Sequence, residues 1–231
     1  MTKLRRLYRS RAATMLLFVL AALLLLGSTI GGARAALTYY SDNFNSELKL
    51  TDGMIGRINT PGGSTNLLAG LPESVQPGRR YDNALTVTNA SSIDAFVRVT
   101  VYKYWEKNGA KQYDLDPALI QLSFGDGWQE DLTARTDERT VLYCRQMVPA
   151  GTTTGAFLQA VTVSDGVLQR VTQTESGPKD HITVTSVYDY NGASVCLVAD
   201  ADLVQTHSAE AAILSAWGRA VTVSGNSLSL R

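Results

Sequence analysis

The chain has 231 residues, 45% hydrophobic and 18% charged, with 21 basic against 21 acidic side chains. Six of the basic residues and none of the acidic ones precede Ala36, so the remainder carries 15 against 21, a net charge of −6. That balance excludes a nucleic-acid face or an anionic-membrane face, both of which need clustered Lys and Arg.

The first residues set the compartment. Lys3, Arg5, Arg6, Arg9 and Arg11 form a basic stretch directly before the apolar run from Met15 to Leu26, and Ala33-Arg34-Ala35 supplies small residues at cleavage spacing. This is the pattern of a secretory signal peptide over residues 1–35, with Ala33 and Ala35 read by a signal peptidase and Ala36 opening the mature chain. Retention as a membrane anchor is the competing reading, because no charge interrupts Ala12 to Ala33 and a spanning helix needs about 20 apolar residues. The length of the apolar block and its end at Gly27-Ser28 favour cleavage, so the membrane is met only through the uncleaved leader.

Roughly 195 residues follow, enough for one core, and the sequence predicts a single domain over 36–231. It opens with Phe44, Ser46, Leu48 and Leu50 alternating with Asn43, Asn45, Glu47 and Lys49, a strand with one largely apolar face. Asn59 to Gly70, with Pro61-Gly62-Gly63-Ser64, reads as a mobile loop. Strands are then predicted at Ala84 to Thr88, Ala95 to Trp105, Thr140 to Val148, Ala156 to Val163, Ile182 to Tyr190, Val195 to Val198, Val221 to Val223 and Ser227 to Leu230. In the best of them Ala95, Val97, Val99 and Val101 share one face and Arg98 and Thr100 the other, the period of a half-buried strand. Pro77-Gly78, Asn108-Gly109, Asp126-Gly127, Asp165-Gly166, Asn191-Gly192 and Gly225-Asn226 are turn dipeptides, and the last two read as hairpin tips. One helix interrupts the strands, with Ser208 as N-cap, Glu210 in its first turn, Ile213 and Trp217 on one face and Gly218 at its end. Strands joined by short turns without alternating helices predict an all-β, antiparallel jelly-roll-like sandwich with one short helix near the C-terminus.

Catalytic chemistry has no foothold in this pattern. His181 and His207 stand outside any HExxH helix, and no nucleophile elbow, phosphate loop or dinucleotide fingerprint appears, so neither an enzyme nor a cofactor is expected. Asp114-Leu115-Asp116 and Asp200-Ala201-Asp202 each place two carboxylates on one side of an extended segment, either as solvated turn residues or as a Ca²⁺ site. Tyr102, Tyr104, Trp105 and Trp128 form either a sugar platform or ordinary packing. Asn89-Ala90-Ser91 matches a glycosylation sequon but reads better as turn chemistry. Cys144 and Cys196 are one possible disulfide, permitted by an oxidising compartment, or two core thiols.

Four segments carry a resemblance. The leader with Gly31-Gly32 and then Thr38-Tyr39-Tyr40-Ser41-Asp42 is the first, and Pro77-Gly78, Leu85-Thr86-Val87-Thr88-Asn89 and Ala95-Phe96-Val97-Arg98-Val99 are the second. Val148-Pro149-Ala150-Gly151-Thr152-Thr153 is the third, and Ala209-Glu210-Ala211-Ala212 with Ala216-Trp217-Gly218 the fourth. In this order they resemble the TasA and camelysin family of exported Gram-positive proteins processed by a SipW-type signal peptidase, with the second segment read as a strand pair. Thr38 departs from the family's usual Ala. The resemblance implies a jelly-roll sandwich, export, and a structural role at the cell surface or in a biofilm matrix, in some members as a fibre subunit whose partners are itself or other matrix components. Camelysin-type members have been described as metalloproteases, but no residue here matches a zinc motif. A monomeric exported module binding a glycan or a cation is the alternative.

Overall fold

The computed structural model describes residues 54–72, 74–176 and 183–231. The chain divides into two units, Met1–Leu37 and Thr38–Arg231, and every described residue belongs to the second. The leader, Ala33, Ala35, Ala36, the alternating segment before Gly53 and His181 lie outside the described residues.

Two antiparallel sheets face each other. The first runs β1(Gly56–Asn59), β2(Arg80–Asn89), β8(Leu158–Val163) and β5(Ile120–Phe124) in spatial order. The second runs β11(Ser194–Gln205), β3(Ala95–Lys107), β7(Arg139–Cys144) and β6(Trp128–Glu130), with β4(Ala110–Gln112) paired to the far end of β3. Period-two alternation makes the sandwich: Leu85 and Val87 of β2, Val97, Val99 and Val101 of β3, and Ala199, Ala201 and Leu203 of β11 enter one buried cluster between the sheets. The architecture is the expected jelly-roll-like β-sandwich.

A further layer covers the outer face of the second sheet. The odd-numbered residues of β3 point inward, so Phe96 points outward, and with Val141, Tyr143 and Val204 it packs against Ile213 and Trp217 of the helix α1(Ala209–Trp217). Val221 and Leu228 of the hairpin β12(Val221–Ser224)/β13(Ser227–Leu230) complete this second cluster. The helix begins differently from expectation: Ser208 is in the left-handed region at φ 50° and its side chain caps nothing. Glu210 instead accepts from Val223 N, tying the first turn to the hairpin. Gly218 ends the helix as expected, at φ 65° with its N–H on Leu214 O.

Several connections correct the sequence reading. β2 and β3 are consecutive but belong to opposite sheets, so the motif read as a strand pair is a crossover at the sandwich corner. Asn89 holds that corner. Its Nδ2 donates to Ile93 O and Val148 O, and its Oδ1 accepts from Ser91 N, so the sequon asparagine is a buried staple. Asn191-Gly192 is no hairpin tip, because β10(Thr183–Tyr188) pairs with β9(Val171–Ser176) rather than with β11. Asn108-Gly109 does turn the β3/β4 hairpin, with both residues at positive φ, the geometry that a two-residue turn needs. The loop after β1 is pinned by Leu67, buried in the core, whose carbonyl accepts from Asn83 Nδ2.

Candidate functional site

A cavity of about 390 Å³ opens on the outer face of the second sheet, beside the helix cover. Three strands make its floor by alternation: Arg98, Thr100 and Tyr102 from β3, Asp200 and Asp202 from β11, Arg139, Val141 and Tyr143 from β7. The end of α1 contributes Trp217 and the segment after it Arg219, while Asp131, Thr133 and Ala134 come from the chain following β6.

Its electrostatics are paired. Asp202 lies directly across from Arg98 in the β11/β3 register and is only 1% exposed. Arg98 Nε donates to Asp202 Oδ2 at 2.9 Å, and the guanidinium carbon sits 5.2 Å over the Trp217 ring. Trp217 in turn meets Tyr143 edge-on at 5.5 Å. Asp131, 3% exposed, takes Thr133 N and Oγ1 on one oxygen, while its other oxygen lies 2.9 Å from Arg219 Nε. That last contact is an ion pair without hydrogen-bond alignment. Arg139 donates through Nε and a terminal nitrogen to Ala134 O, holding the loop that forms the rim. Three guanidinium groups therefore balance three carboxylates. Burial raises the Tyr143 hydroxyl above its ordinary 10.0 despite the opposing Arg98, so it is a neutral donor at physiological pH.

Three buried polar atoms of the cavity-lining residues have no hydrogen-bond partner: Asp202 Oδ1, Trp217 Nε1 and Arg219 Nε, the last of which is ion-paired with Asp131. Buried polar groups are nearly always partnered, and each exception asks for a reason.

The sequence candidates distribute unevenly over this picture. Asp200 and Asp202 are not solvated turn carboxylates. They sit in the body of β11 on the face that was expected, and β11 runs on to Gln205, well beyond Val198, because Arg98 neutralises the carboxylate that breaks the apolar pattern. Asp114 is exposed, and Asp116 caps a short 3-10 turn by accepting from Ala118 N. Among the described residues no group of three or more His, Cys, Asp or Glu is placed to hold a metal ion. The aromatic platform does not form. Trp105 and Trp128 are buried between the sheets with their Nε1 groups donating to Asp116 O and Gly155 O, whereas Tyr102 and Tyr104 face outward. His207 is exposed before the helix and outside the cavity.

Cys144 and Cys196 are both free. Cys144 points into the core between the sheets, while Cys196, opposite Tyr104, faces outward and donates to Glu106. The β7 and β11 registers set the two seven residues apart along β3, roughly 23 Å at the rise of a strand. A disulfide needs Cα atoms within about 7 Å, so of the two alternatives the structure has the free thiols, of which Cys144 is a core thiol and Cys196 is only partly buried.

The sequence reading missed Asp131, Arg139, Arg219 and the part that Trp217 plays at the cavity. Only Trp217 left a trace, as a helix-face residue with a core role.

No sequence-family model matches the chain, and no curated protein matches it. Among solved structures it is similar to a type III cohesin module from the cellulosomal ScaE cell-surface anchoring scaffoldin of Ruminococcus flavefaciens, at 13% identity and a TM-score of 0.31 over 66% of this chain and 84% of that one. A likeness of that degree is too slight to carry an inference about this chain.

Proposed function

We propose that this protein is an exported structural component of the cell surface or extracellular matrix that assembles through the edges of its sheets. The leader supports export. The order of the four sequence segments that resemble the TasA and camelysin family supports a matrix role.

The observation that carries the assembly reading is the edge at β11. This strand is 12 residues long and pairs along its whole length with β3 on one side, and among the described residues no strand pairs with its other side. Such an edge is a template for another strand. Its neighbour across the sandwich is β1, where a Cβ on Gly56 would meet Leu203 Cδ1 at 2.5 Å. The chain therefore enters the described region beside the open edge, shortly after the segment Tyr39 to Leu50, whose run Asn43 to Leu50 alternates in the sequence. In this reading that segment adds to the β11 edge of a neighbouring copy, and a head-to-tail contact of this kind grows into a filament because it does not close.

The test is to compare the chain beginning at Thr38 with one beginning at Gly53, by light scattering and electron microscopy. Filaments from the longer chain alone are the expected result. Filaments from both, or from neither, overturn strand donation and leave the exported binding module as the better reading.

A further inference from the structure

We infer that the cavity between α1 and the outer face of the second sheet is a binding site for an uncharged, hydroxyl-rich ligand of the carbohydrate class, independently of whether the chain polymerises.

The chemistry of the unpartnered atoms selects the ligand. Asp202 Oδ1 is an acceptor and Trp217 Nε1 a donor, and both belong to residues lining the same cavity. Leaving either unsatisfied costs free energy, so a ligand that serves both gains what the free protein lacks. A hydroxyl donates and accepts with one atom, and a sugar carries several in a row. A carboxylate or phosphate ligand supplies only acceptors and would be repelled by Asp202 itself.

Charge agrees with this choice. Arg98, Arg139 and Arg219 are matched by Asp131, Asp200 and Asp202, so the lining has no net charge to spend on an ion of either sign. Shape agrees as well. Ligand sites run from about 300 to 1,000 Å³, which places about 390 Å³ at the size of a short saccharide. Tyr102, 37% exposed at the rim, offers an aromatic surface to the apolar C–H face of a sugar ring.

Arg98 touches both Asp202 and Trp217, through its bond to Asp202 Oδ2 and its stacking over the Trp217 ring. Asp202 Oδ1 and Trp217 Nε1 are closed to solvent in the free protein, so a ligand that reaches them has to displace side chains of the cavity wall.

The three tryptophans make the test specific, because Trp105 and Trp128 have their indole N–H groups engaged by carbonyls and Trp217 does not. In a nitrogen-correlated spectrum of the mature chain, titration with cellotriose or with the trimer of N-acetylglucosamine should move one indole signal, assigned to Trp217 by its loss in Trp217→Phe. Tyr102→Ala, a rim change that leaves the core intact, should weaken that binding about two- to tenfold. Failure of both neutral trimers to move the Trp217 signal overturns the proposal. So does a response to the trimer of galacturonic acid alone, which would make the cavity an anion site, and so does equal movement of all three indoles.

Discussion

Asp202 is a carboxylate placed where carboxylates are rarely found, inside a strand and under a helix, and the fold tolerates it because Arg98 stands opposite in register. Buried pairs of this kind are weak as net stabilisers and strong as liabilities, since removing one partner strands the other charge in a poorly solvated place. Asp202→Asn should therefore destabilise the protein by about 3–5 kcal/mol in urea denaturation, while the double change Arg98→Met with Asp202→Leu should recover most of that loss. Equal losses in the single and double variants would mean that local packing, and not the stranded guanidinium, sets the cost. The same logic explains why the pair was half legible. Asp200-Ala201-Asp202 announces two carboxylates on one side of an extended chain, but Arg98 lies 104 residues away, and only the β11/β3 register brings it there.

At the scale of elements, the strands differ in what covers them. β3 buries six of its 13 residues and leaves only Tyr102 exposed, whereas every described residue of the β9/β10 hairpin is exposed, including Val184, Val187 and Tyr188 at about half. A two-stranded ribbon with no third strand and no packed face is held by little more than its own ladder. Its amides should exchange with deuterium at least about a hundredfold faster than those of β3. Equal protection would show that something covers the hairpin in solution. Legibility follows that division only in part: the exposed β10 is legible from the Val, Thr and Tyr of Ile182 to Tyr190, and β5, although Ile120 is buried, is not. Strands with an apolar face, β2, β3, β7 and β8, were visible in the sequence because burial imposes the period that is read. β9, with Val171-Thr172-Gln173-Thr174-Glu175-Ser176, has no buried face to impose one, and β4 and β6 are three residues each, too short to show a period. The outer layer was legible as a helix with an apolar stripe and a Gly225-Asn226 hairpin. That the two share one cluster, and that the gap beside them forms a cavity, depends on contacts that no local pattern encodes.

For the molecule as a whole, the titrating groups with displaced affinities point to one weakness, at alkaline pH. Burial pushes the Cys144 and Cys196 thiols above their ordinary 9.0, helped at Cys196 by the Glu106 charge. Burial likewise raises Tyr143 above 10.0, and burial with the nearby Cys196 and Glu106 raises Tyr104. In each case the folded chain holds its proton to a higher pH than the unfolded chain does. The stability these four contribute is complete below the ordinary values and is lost as pH climbs through the interval up to the raised ones. Lys103 acts in the opposite direction. Its burial beneath β5, where Nζ donates to Ile120 O, lowers it from 10.5, so the unfolded chain holds the extra proton and stability rises with pH between the lowered value and 10.5. Lys111, held above 10.5 by its hydrogen bond to Glu138, joins the four, so five groups oppose one, and the two thiols begin to act first. Stability measured by urea denaturation between about pH 7 and about pH 11 should stay level to about pH 9 and then fall. Replacing both cysteines by alanine should shift the onset upward toward the tyrosine range, whatever the constant cost of the smaller side chains. Lys103→Met should steepen the fall, because the one group that gains from alkali is gone. An onset that ignores the cysteines would mean that the thiols are as accessible in the folded chain as in the unfolded one, and the placement of Cys144 between the sheets would then be wrong.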